Sequence, residues 1–115
     1  MKKHTYLMEG HPNTFFCTNI SSHLSELSKE HDALYGEYEF LKERLLEHSD
    51  IQLLSEEEVI YVRIAKYIFR DLEFQLVLDL DYNSSHFYVE DLSKVSSVRD
   101  LVEEIISKFL LSKGA

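Results

Sequence analysis

Between Val59 and Leu80 the chain reads VIYVRIAKYIFRDLEFQLVLDL, and no other stretch limits the fold as much. Ile60, Val62, Ile64 and Ile68 share one alternating set, broken only at Lys66. Phe74, Leu76, Leu78 and Leu80 form a second. Successive strand side chains point to opposite faces, so each set can line a buried face. The intervening positions are mixed: Tyr61, Arg63 and Tyr67, then Glu73, Gln75, Val77 and Asp79. That pattern predicts two antiparallel strands with one wet side, joined by a tight turn at Arg70-Asp71. The alternative is a single helix from Glu56 to Leu72. Enrichment in β-branched and aromatic residues favours strands.

A second pattern covers residues 20–48. Ile20, Leu24, Leu27, His31, Leu34, Tyr38, Leu41, Leu45 and His48 alternate spacings of 4 and 3 without a break. Such a seam, sustained over about four heptads, predicts a coiled coil with a helix of another chain. Leu27, Leu34 and Leu41 are its anchors. His31 and Tyr38 suit a specified partner better than self-pairing. The alternative is an amphipathic helix lying on its own domain, which usually shows a wider stripe. Asn19 can cap the start. Gly36 costs about 1 kcal/mol inside a helix.

Around these two patterns the rest falls into place. Residues 1–18 show no sustained period and are punctuated by Gly10, Pro12 and Asn13, which predicts a flexible tail. Ile51 to Leu54 form a short strand or a last helical turn. Ser55 to Glu58 form a polar turn or a helix start, and Tyr82 to Ser85 a turn. His86 to Leu92 give a further strand. Val98, Leu101, Val102, Ile105, Ile106, Phe109 and Leu110 make a broad helical stripe, capped by Ser96 or Ser97. The expected core joins Ile60, Val62, Ile64, Phe74, Leu76 and Leu78 to Leu101, Val102, Ile105 and Phe109. The expected fold class is therefore α+β. Its parts are a tail (1–18), a coiled-coil helix (19–49) and a head (50–115) in which a small antiparallel meander packs on a C-terminal helix.

Charge and residue types narrow the function classes. Acidic residues outnumber basic ones 21 to 12, for a net charge of −9. Phosphate backbones and anionic membrane surfaces repel such a chain, so neither nucleic acid nor membrane is an expected partner. Cys17 is the single cysteine, so no disulfide framework exists and a reducing compartment is expected. Lys2 and Lys3 precede no apolar core, unlike a secretory signal. The spacings of His4, His11 and Cys17 close no zinc site. No phosphate loop, dinucleotide fingerprint or metalloprotease helix occurs. No cofactor and no catalytic activity are expected.

The order of elements resembles the RWD-type heads of kinetochore proteins, most closely the Spc-twenty-five family of subunits of the outer-kinetochore Ndc-eighty complex. Asp50-Ile51-Gln52-Leu53-Leu54 is similar to that family's first strand, and Val59 to Ile64 to its second. Phe74-Gln75-Leu76-Val77-Leu78-Asp79-Leu80 resembles its F-x-L-x-L strand, Phe87-Tyr88-Val89 its aromatic-x-Val strand, and Arg99 to Phe109 its last helix. The resemblance implies a non-catalytic adaptor of a kinetochore complex in the nucleus, at the centromere, acting in chromosome segregation. It implies pairing of the coiled coil with a sister Spc-type subunit, and through it with longer rod subunits. It also implies a receptor peptide bound at the head, in a groove shared with the sister head. Tyr61, Tyr67 and Tyr88, set among charges on the wet face, are the candidate head interface, since tyrosine supplies contact area with a polar tip.

Two other readings stay open. Asp91 to Ile105 resembles the last loop and helix of an acyl carrier protein, although the Asp-Ser-Leu attachment site is absent and Ser55 is a poor substitute. An acidic secretion chaperone, or another cytoplasmic protein-binding module, also combines a small sheet with helices.

Overall fold

The computed structural model describes residues 4–17, 33–81 and 84–114. They form a six-stranded antiparallel sheet with two helices on one face. In chain order the elements are β1 (Thr5–Met8), β2 (His11–Cys17), α1 (Ala33–Leu46), β3 (Ile51–Val59), β4 (Val62–Phe69), β5 (Leu72–Asp79), β6 (Ser84–Tyr88) and α2 (Val95–Gly114). A 3-10 turn at Leu92–Lys94 leads into α2. The sheet order is β1-β2-β6-β5-β4-β3. Among the described residues no helix is long and apolar enough to cross a membrane.

The tight turn at Arg70-Asp71 joins β4 to β5 as expected, with Arg70 at φ 58. Its counterpart between β3 and β4 is Ile60-Tyr61, with Tyr61 at φ 67. Asn and Gly are the usual residues for such left-handed turn positions, so this aromatic residue is held at a strain cost by the ladder around it. The amide of Leu80 donates to the carbonyl of Tyr61 at 2.8 Å and ties the turn to β5.

Facing residues on adjacent strands share a side of the sheet, so register decides what is buried. Phe74, Leu76 and Leu78 point inward, as expected. Their partners on β4 are Tyr67, Ala65 and Arg63. The expected inward set of β4 therefore needs correcting. Val62 and Ile64 lie on the outer side opposite Asp79 and Val77, and Ile60 is 80% exposed in the turn. Strand β4 is apolar on both sides, and its clearly alternating neighbour β5 fixes which side goes in.

Among the described residues the core draws on β2 and α1 as well as on residues 50–115. An aromatic ladder crosses four strands: Phe15 stacks on Phe87 at 5.1 Å, Phe87 meets Phe74 at 6.1 Å, and Phe74 stacks on Tyr67 at 5.6 Å. Helix α1 covers it with Tyr38, Phe40, Leu41 and Leu45, and α2 with Val98, Leu101, Val102 and Ile106. Ile105 and Phe109 pack at the margin, half-buried. Phe109 meets Phe40 edge-on at 4.7 Å. Helix α2 begins at Val95, so Ser96 and Ser97 lie inside its first turn rather than at the expected capping position, and Asp91 caps the 3-10 turn before it by accepting from the amide of Ser93.

The expected tail is also corrected: residues 5–17 are a hairpin within the sheet. Gly10, at φ 80, supplies the left-handed turn residue. Phe15 faces Phe87 across β2 and β6, and the Asn13 side chain donates to the carbonyl of Val89 at 2.7 Å. At the outer edge, Glu103 of α2 accepts from the amides of His4 and Thr5 at 2.8 and 2.7 Å and from the Thr5 hydroxyl at 2.9 Å. Arg99 donates to the hydroxyl and carbonyl of Thr5 at 3.1 and 3.0 Å. Bonds to charged groups contribute about 1.5–3 kcal/mol each. Glu103→Ala is expected to cost about that much in urea unfolding, with the β1 amides exchanging first. An unchanged exchange pattern in β1 would show that the hairpin is held elsewhere.

Residues 51–59 are likewise one continuous edge strand, so the polar turn expected at Ser55 to Glu58 is absent. The register slips between Leu53 and Ser55, which marks a bulge. Glu56 then faces inward beneath α1, opposite Ala65, and accepts from the Tyr38 hydroxyl at 2.8 Å and from Lys42 at 2.9 Å. Burial opposes ionisation of Glu56, but these two donors prevail and hold its carboxyl below the usual range.

Candidate functional site

Only part of the predicted coiled-coil seam lies in the described structure. Ile20, Leu24, Leu27 and His31 fall outside the described residues, and of Leu34 only the backbone, in α1, is described. Tyr38, Leu41 and Leu45 are at most 3% exposed and face the chain's own sheet. His48 follows α1 and packs edge-on against Phe69 at 5.2 Å. The expected coiled coil is therefore not seen, and α1 is an amphipathic helix on its own domain. A seam at spacings of 4 and 3 satisfies either arrangement, because both need one apolar row per turn.

The tyrosine trio is not brought together. Tyr61 sits exposed at the β3–β4 turn, and Tyr88 is half-buried on the outer side of β6. Tyr67 is wholly buried on the inner side, where burial and the charges of Glu56 and Glu39 push its hydroxyl well above the ordinary tyrosine range. The candidate head interface loses Tyr67 on that ground.

What the register does assemble is an apolar row across the open face of the sheet, the face that no element among the described residues covers. Tyr6 faces Phe16 and stacks on it at 5.3 Å. Phe16 meets His86 at 5.9 Å, His86 faces Val77, Val77 faces Ile64, and Ile64 faces Glu57 on the edge strand. The row crosses five strands, about 19 Å at the usual spacing. Val62 and Val59 extend it towards the exposed turn residues Ile60 and Tyr61. A polar row runs beside it: Ser55, Lys66, Gln75, Tyr88 and Thr14. Lys66, Gln75 and Tyr88 also line a concavity of about 520 Å³. The carboxylates of Glu57, Glu73 and Asp79 share this face with the ammonium of Lys66. Sequence reading missed the row because its members come from five strands and become neighbours only through register.

His86 is the titratable group at the centre of the row. Its Nδ1 is buried without a hydrogen-bond partner. Burial pushes the imidazole below its ordinary range, and Asp79 opposes this. A neutral His86 behaves as part of the apolar surface.

On the helical side, Glu37 and Cys17 lie near one another. Burial, then the charges of Glu37 and Glu103, push the Cys17 thiol well up, which makes a poor nucleophile of it. Burial pushes the Glu37 carboxyl up to about 7 from its ordinary 4.5. The folded protein therefore holds a proton between those values that the unfolded chain releases, and stability falls as pH rises from 4.5 through 7. Glu37→Gln is expected to remove that fall, gaining about 1–3 kcal/mol over wild type at pH 8 while changing little at pH 4.5. Urea unfolding of both proteins across this range checks it. Parallel stability curves would refute the assignment.

His4, His11 and Cys17 do not converge. Among the described residues, no group of three or more His, Cys, Asp or Glu side chains is placed to hold a metal ion. Comparison with protein-family models, curated proteins and solved structures returns no match.

Proposed function

We propose that this chain is a non-catalytic binding module, an adaptor that holds a segment of a partner protein on the open face of its sheet. The carrying observation is the unbroken row Tyr6–Phe16–His86–Val77–Ile64 on the face opposite both helices. Cross-strand pairs in such a row stabilise the sheet by only about 0.2–1 kcal/mol each, whereas a contiguous apolar patch rimmed by polar groups suits an interface.

The finer proposal is a head subunit of an RWD-like kind, working in a kinetochore complex in chromosome segregation. In support, α1, the β3–β6 meander and α2 follow one another as helix, four strands and helix. The hairpin β1–β2 is an addition to that order. Since α1 spends Tyr38, Leu41 and Leu45 on its own core, partner binding passes from the helix seam to the sheet face. An acyl-carrier role gains no support, because Ser55 lies within an edge strand rather than at a helix start.

Affinity capture from the protein's own cells tests this with three tagged chains: wild type, Val77→Asp on the row, and Leu111→Asp on α2. A protein held by wild type and Leu111→Asp but lost from Val77→Asp is the expected result. The same proteins on all three chains would sink the binding-face reading. Chromosome-segregation subunits among the lost proteins would support the finer proposal.

A further inference from the structure

Building on the binding-module reading, we propose that the open sheet face docks a basic amphipathic helix of a partner protein. Three observations define the occupant. The first is shape. The apolar row is one residue wide and spans five strands, about 19 Å, which a helix of about 13 residues covers with one stripe of its surface. Tyr6, Phe16, Val77 and Ile64 give that stripe successive contacts.

The second is charge on the face. Glu57 closes the row at the β3 edge, and Asp79 faces Val62 one row away. Glu73 stands opposite Ile68 on the far side, and Lys66 is the cation among them. Lysines or arginines flanking the partner's apolar stripe meet these carboxylates. The positive end of the partner's helix dipole is best placed at Glu57.

The third is overall charge, which disfavours a second copy, nucleic acid and anionic lipid. The chain carries a net charge of −9. Two copies stacked through this face would bring both sets of Glu57, Glu73 and Asp79 into one interface, with one Lys66 each in compensation. Like charges across an interface suppress wrong partners. Nucleic acid and anionic lipid are repelled for the same reason.

The test uses the full chain and three synthetic peptides of roughly 18 residues. One is a leucine–lysine peptide with its leucines on a single helical face. The second has the same composition, scrambled. The third carries glutamate in place of lysine. Calorimetry and labelled-protein NMR read binding and location. The amphipathic lysine peptide is expected to bind, moving the resonances of Phe16, Ile64, Val77 and His86. The scrambled peptide is expected to bind at least about tenfold more weakly, and the glutamate peptide not at all. Val77→Asp should weaken the first peptide at least about tenfold. Should that variant fold poorly, Glu57→Lys at an exposed position gives a second readout, about threefold weaker. Leu111→Asp should change nothing.

Equal binding of the scrambled peptide would overturn the proposal, leaving net charge as the attraction. Shifts confined to the helical side would overturn it too. A wild-type dimer split by Val77→Asp would make a second copy the occupant. Movement of the Val77 and Ile64 resonances by Leu24→Ala in the lone chain would assign the face to residues 18–32. Failure of every peptide, with the cellular partner still lost from Val77→Asp, would leave the binding module standing and remove the basic helix.

Discussion

Phe87→Ala is expected to lower the stability by about 3–5 kcal/mol, the range for a fully buried phenylalanine. Phe87 is wholly buried on β6, a central strand. It touches Phe15 on one side and Phe74 on the other, so truncation breaks the aromatic ladder in the middle. Phe15 lies on β2 and Phe74 on β5, both pinned by backbone pairing. The walls therefore relax little, and the cavity term stays large. Domains of this size are stable by only about 5–15 kcal/mol, so the variant should unfold at much lower urea. A shift below about 1 kcal/mol, typical of surface positions, would place Phe87 outside the core.

The second large effect is expected at Leu41. It is 3% exposed on α1, over the sheet. Leu41→Asp removes a buried side chain, worth about 2–5 kcal/mol as an alanine replacement, and adds a carboxylate with no partner. The chain should lose its cooperative unfolding transition at 37 °C. An exposed heptad seam would give the opposite outcome: a folded chain with an altered association state. Circular dichroism melts beside equilibrium sedimentation separate the two. A variant with wild-type melting would return Leu41 to a surface role.

Those two positions also show what the amino-acid order makes legible. Phe74, Leu76 and Leu78 alternate with Glu73, Gln75 and Asp79, so their side of the sheet follows from polarity alone. On β4, Ile64 and Ile68 on one side compete with Ala65, Tyr67 and Phe69 on the other, and polarity decides nothing. Only the pairing of Tyr67 with Phe74 settles it. Residues Tyr38, Leu41 and Leu45 are correctly marked as one face of a helix, while the surface that face meets is a tertiary fact. Gly10 and Pro12 signalled a break, and the break is a hairpin turn followed by a strand that carries proline at its second position. The candidate surface was the least legible feature, since Tyr6, Phe16, His86, Val77 and Ile64 have no common period in the chain.

The position of β2 beside β6 has a kinetic consequence. Among themselves, strands β3, β4, β5 and β6 pair in chain order, with short connections between them. The loop closures they need are small, and such contacts form fast. Strand β2 must instead find a partner formed near the other end of the molecule, and the clasp that secures β1 joins residues 99 positions apart. Until then β6 presents a bare edge, the kind of template on which a foreign strand can add. Residues 11–17, made before Ser84–Tyr88, thus have no sheet edge to join until β6 has formed.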